Sequence, residues 1–419
     1  MKTQLHILAF KTALFHFFMV SILGLVLRYS QAFGLSFINY KFLLHAHSHY
    51  AMGGWMFTGL FAAILSVFRV VNDGNEKSYR SIFFLAQLGI AGMVFTFPFQ
   101  GYGLWSILFS EVYVIATYWL TYQLWKDIKG DIASSRFLKS ALFFLVLSSL
   151  GPYAVGPMMA NKMANSVWYH DAIYLYLHFQ YNGWMVFAIA ALVFKHLERK
   201  NLLLNNRQAH VGWTLMNVSC VLTYFLSVLW SKPGVAFNIL GGAGALMQIV
   251  GAYYLLKSVL PFRAFLHNSH RTVQALTIIA LLALAVKILL QAISGLPVVA
   301  DAAYRYPNFI IAYLHLVFIG FMSTGLFALF ATWRLLSINR VSLFGILVFF
   351  SGFVITELLL VAQSLLAWQG MAAIAAFSQS MFYCSLAMPI GLFFVLVAQY
   401  LPENINSILS SKKNLYEAA

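Results

Sequence analysis

The stretch LLHAHSHYAMGGW, residues 43–55, places histidines at 45, 47 and 49 just ahead of a long apolar run. Neutral imidazole ligates metals and carries protons near neutral pH. His45 and His49 are one helical turn apart and share a face, whereas His47 points about 200° away from either. One small metal cannot take both His47 and His49 from a regular helix. Two sites, one on each side, can.

The same pattern recurs. HYAMGGWM (49–56), HFQYNGWM (178–185) and HLVFIGFM (315–322) each read histidine, four residues, glycine, an aromatic, then methionine. Two residues before the key histidine stand His47, Tyr176 and Tyr313; four before stand His45, Tyr174 and Ile311. Glycine five residues after the histidine lies near the same helix face. At Gly54 and Gly320 it either leaves room for something flat and large or lets helices pack closely. Matching imidazoles at one depth, with no acidic or cysteine partner, suit haem iron or copper.

The elements that must position these residues follow from composition. The chain has 419 residues, 62% hydrophobic and 9% charged, against roughly a quarter charged in a soluble protein. Its apolar residues come in blocks of about twenty, enough to cross a bilayer. Twelve such spans are predicted, centred near Met19, Leu60, Ala91, Ile115, Val146, Ile189, Val221, Met247, Leu281, Phe321, Val354 and Gly391. This is an all-α polytopic membrane protein, a single domain over 1–419. The repeated histidines open the second, sixth and tenth spans, which divides the chain into three pseudo-symmetric four-helix units, approximately 8–128, 137–258 and 272–402.

The net charge of +15 does not point to nucleic acid, because the basic residues sit before the first span and after each even-numbered one. The other loops hold only Arg28, Lys41, Lys162, Lys232 and Arg305, and Lys287 lies within a span. The positive-inside rule puts both termini in the cytoplasm and the three histidines in the outer third of the membrane. The first apolar block has no small-residue cleavage site and reads as a retained helix. Cys220 and Cys384 fall inside spans and read as packing residues.

Arg28, Lys41, Lys162 and Arg305 lie near the predicted histidine depth, where they either anchor at the interface or pair with carboxylates. His170 and Asp171 open the sixth span. Glu111, Lys287 and Glu357 fall inside spans, where ionisable groups are functional suspects. His196, His210, His267 and His270 are placed in inner loops, and no repeat supports His6 or His16. Neither a phosphate-cradling glycine loop nor a Ser/His/Asp constellation is present.

With twelve spans in three arcs, and a histidine pair followed by glycine and an aromatic, the chain resembles subunit I of the haem–copper oxidases. The closest local likeness is to the C-type oxidases and to the NnrS proteins, which share the His-x-His-x-x-x-x-Gly-aromatic pattern. The likeness covers the topology of the whole chain, but specific residues only around the three motifs. It implies a b-type haem held by His49 and His315, with His47, Gly54, Gly320, Arg28 and Arg305 at the cofactor. It also implies copper as a second metal, with His45, His47, His49, His178 and His315 as the ligand pool. The seventh span lacks the histidine pair that binds copper in the oxidases. Tyr313 replaces their high-spin ligand, and Asn182 stands where their tyrosine would fall.

The resemblance implies a redox protein of a bacterial inner membrane, handling electrons or a small gas such as oxygen or nitric oxide. Its electron donor would be a protein or a quinol, since no c-type haem attachment motif is present. The alternative is a transporter or permease whose repeats enclose a histidine-lined midplane site.

Overall fold

The computed structural model describes residues 4–202, 205–259 and 269–401, and among these every regular element is a helix. Twelve helices are long and apolar enough to cross a membrane. They are α1 (Leu5–Phe33), α2 (Tyr40–Phe68), α3 (Glu76–Gln100), α4 (Leu104–Asp127), α5 (Ala133–Ala160) and α6 (Val167–Arg199), then α7 (Asn206–Ser231), α8 (Val235–Ser258), α9 (Arg271–Ile293), α10 (Pro307–Thr332), α11 (Arg340–Trp368) and α12 (Phe377–Ala398). Each predicted span centre falls inside one of them. In hydrocarbon a helix satisfies its own backbone groups, so an apolar run of this length has little alternative.

The helix ends follow local chemistry. Asn39 starts α2 by accepting from the backbone N–H groups of Lys41 (2.9 Å) and Phe42 (3.3 Å). Asn339 and Ser342 form a reciprocal capping box at the start of α11, and Pro307 takes the first turn of α10.

The histidine-bearing helices form the centre. α2, α6 and α10 all touch one another, and α12 returns to pack against α1. In α2 and α6, 83% of the most apolar stretch is buried, and 56% in α10, against at most 50% in any other span. Outer helices turn large apolar side chains outward, Phe95, Leu246 and Leu358 among them. Small residues bring neighbours close: a Cβ on Gly345 would lie 2.5 Å from the Gly391 carbonyl, joining α11 to α12.

Polar ties lock the central trio. Trp55 on α2 donates to Ser323 Oγ on α10 at 2.7 Å. At the C-terminal ends of these helices Trp333 donates to His196 Nδ1 (3.0 Å), and Arg199 donates to the Val67 carbonyl (3.2 Å). Each central helix also carries one wide π-helical turn: Ala51–Phe57, Phe179–Met185 and Leu316–Ser323. Every one begins within two residues of the repeated histidine. Such turns occur frequently at functional sites.

Candidate functional site

The first eleven residues of α2 are regular helix, so His47 and His49 leave it on opposite sides. His49 faces α3 and α4. Its ring stacks on Phe97, with centroids 4.6 Å apart, and its Nε2 is 3.0 Å from the Tyr102 hydroxyl. His45, one turn earlier, lies against the same Tyr102 ring at 4.8 Å. The turn between α3 and α4 sets this up. Gly101 adopts φ +57°, ψ −133°, and a Cβ there would strike the Phe42 ring at 2.5 Å. Glycine therefore lets the chain reverse under Phe42 and present Tyr102 to the histidines.

His47 faces α1 and α10. Its Cε1 would be 3.1 Å from a Cβ on Gly24 of α1, and the Val20 backbone is within hydrogen-bond range. Its Nδ1 is shielded from solvent and has no hydrogen-bond partner. His315 lies on α10 and Arg28 on α1, both helices that touch α2. His315 Nδ1 is 3.1 Å from Glu357 Oε1 on α11. A carboxylate so placed takes the Nδ1 proton and leaves Nε2 as the lone-pair nitrogen, the arrangement found behind metal-ligating histidines. Arg28 also feels Glu357 and donates to Gln31 (3.1 Å), which in turn donates to Tyr40 (2.7 Å).

The donor types fit a haem: histidines on two touching central helices, an orphaned ring nitrogen on His47, a carboxylate behind His315, and a guanidinium at Arg28 for an acid side chain. His47 is seated over Gly24 of α1, while His49 lies on the other side of α2 against Phe97 and Tyr102.

His178 is engaged otherwise. Its Nε2 lies 2.7 Å from the Cys220 carbonyl, so Nε2 carries the proton; Nδ1 then accepts from Asn182 and Ser227, each at 3.2 Å. α7 breaks at Thr223, next to the carbonyl that takes this bond. Both ring nitrogens are occupied, so this arrangement leaves no lone pair for copper. The repeated histidines 49, 178 and 315 do not converge on one centre. Among the described residues no three His, Cys, Asp or Glu side chains gather as a metal site.

Other sequence candidates resolve individually. Above Gly54 a Cβ would meet Tyr50 (2.9 Å) and His16 (3.4 Å), and Gly320 packs against Ala283 and Phe353, so side chains take the space at both. Arg305 pairs with Asp301 at 2.8 Å and is largely exposed. Glu111 accepts from Tyr153 (3.1 Å) and buried Lys287 donates to Gln291 (2.7 Å), so the intramembrane ionisable residues do not pair with one another. Asp171 accepts from Trp230. His196 and His210 lie within α6 and α7 rather than in loops, and His270 caps α9. His267 lies outside the described residues.

Sequence reasoning missed Tyr102 and the Glu357–His315 contact. Glu357 carried a signal, being a carboxylate inside an apolar span; Tyr102 carried only the flanking Gly101 and Gly103. No protein-family model matches this chain, and no curated protein matches it either.

Proposed function

We propose that this chain is a haem-binding redox protein of a bacterial inner membrane, with both termini in the cytoplasm and its three four-helix units related by a pseudo-threefold axis. His47 and His315 would hold one b-type haem between α2 and α10. The observation that supports the reading is the sheltered, unpartnered Nδ1 of His47 on α2, together with the contact between His315 on α10 and Glu357 on α11. Glu357 holds the Nδ1 proton of His315 and keeps its Nε2 available. Arg28 supplies a fixed positive charge for a haem carboxylate. When bound, such a haem supplies one-electron transfer and the chemistry of a small gaseous ligand such as oxygen or nitric oxide. Electrons would come from a partner protein or a quinol. His178 is not a copper ligand in this reading, since both its ring nitrogens are hydrogen-bonded.

The transporter reading draws on Lys287, a cation buried at 1% exposure with an amide partner, which could carry protons or an anion. Absorption spectra of the purified protein, with a pyridine haemochrome assay, separate the two. A Soret band lost in His47→Ala and His315→Ala and retained in His49→Ala is the expected result. A colourless, iron-free protein that accumulates a solute in vesicles replaces the first reading by the second.

A further inference from the structure

We propose that the cavity on the face of α2 opposite His47 binds the head group of a lipid-borne quinone. It measures about 580 Å³, inside the range of roughly 300–1,000 Å³ typical of small-molecule sites. It opens between the start of α2, the α3–α4 turn and the start of α6. The polar wall is formed by His45, His49, Gln100 and Tyr102, while Met52 and Leu177 supply apolar surface.

The chemistry of the wall selects the ligand. Among the described residues no Asp or Glu lines it, and Lys41 is the only lysine or arginine beside His45, His49 and His170. Cations therefore have no counter-charge here, and a phosphate head group has a single strong cation. Hydrogen-bonding side chains around an aromatic, apolar slot suit a neutral ring with oxygen atoms at its edge. His49 and Tyr102, hydrogen-bonded to each other at 3.0 Å, offer one donor and one acceptor between them. That dyad can donate to a quinone carbonyl or accept from a hydroquinone hydroxyl.

Position gives the site its use. His49 and His47 are two residues apart on opposite sides of one helix, so the ring would sit one helix away from the histidine cluster. Electron exchange between the two rests on the haem reading above; quinone binding does not.

The test is equilibrium binding of a radiolabelled decyl-benzoquinone to the full-length protein in nanodiscs, with mapping by a photoreactive azido-quinone. Saturable binding at one site per chain is expected, with cross-links on α2 near 45–52 or on the α3–α4 turn. His49→Ala and Tyr102→Phe should each weaken binding about tenfold or more, the loss of one good hydrogen bond. Tyr102→Phe keeps the ring that packs on Phe97 and His45, so its melting temperature should hold. Leu246→Ala, on the exposed face of α8, should leave binding unchanged. Absence of saturable binding, unchanged affinity in both cavity variants, or displacement by stoichiometric phospholipid overturns the proposal. A colourless protein that still binds quinone overturns only the haem reading.

Discussion

His315 on α10 and Glu357 on α11 are joined at 3.1 Å between imidazole Nδ1 and carboxylate Oε1. Their side chains are 28% and 16% exposed, so the contact is sheltered without being sealed. A carboxylate there fixes the ring and its tautomer together. The geometry makes Glu357 a positioning residue for His315.

Glu357→Gln is therefore expected to preserve the fold and weaken the haem. Glutamine can still accept the Nδ1–H bond but carries no charge. Haem retention should fall about 10- to 100-fold, and the midpoint potential should rise as the ligand becomes a poorer donor to ferric iron. Haem titration and a spectroscopic redox titration read both. If retention and potential both match the parent protein, the carboxylate has no role in the site.

The bilayer made much of the fold legible. All twelve spans stand out because hydrocarbon demands about twenty apolar residues per crossing. The histidine–glycine–aromatic repeat also singled out α2, α6 and α10, the helices that touch each other at the centre. Rotation of a helix about its axis was not legible in the same way. Whether His47 or His49 faces α10 depends on what α1 and α4 present to α2, above all Gly24 and the Tyr102 turn. Those residues lie far from the motif in the chain. For His178, the decisive partner is a backbone carbonyl beside the break in α7, which no side-chain pattern announces.

The His16 ring bridges Tyr50 Oη and Gln87 Oε1, both at 2.6 Å, and Gln87 passes the chain on to Thr58 at 3.2 Å. This ladder ties α1 to α2 and α3 and does not reach the His47 cluster. His16→Leu keeps most of the volume but strips partners from two sheltered polar groups. The expected cost is about 2 kcal/mol, the usual penalty for orphaned hydrogen-bonding groups. Thermal unfolding in detergent should show a lowered transition, with the absorption spectrum of any bound haem unchanged. An unaltered transition means that water or lipid head groups reach these atoms. An altered spectrum would instead connect His16 to the haem.

Gly24 offers a sharper probe of the same helix pair. A Cβ there would approach His47 Cε1 at 3.1 Å, closer than ordinary van der Waals contact. The neighbour is the end of a side chain rather than backbone, so the fold can yield by turning the imidazole. Gly24→Ala should cost little stability, helped by the better helix propensity of alanine, and should shift the spectrum of a haem ligated by His47. Gly24→Leu should displace the ring and abolish haem binding, while the protein still elutes as a folded species. His49→Ala, on the far side of α2, should do neither. Haem-to-protein ratios and spectra of the three variants, measured beside their melting temperatures, separate crowding of His47 from general damage. Equal haem loss in Gly24→Leu and His49→Ala would mean that the two faces of α2 do not act independently.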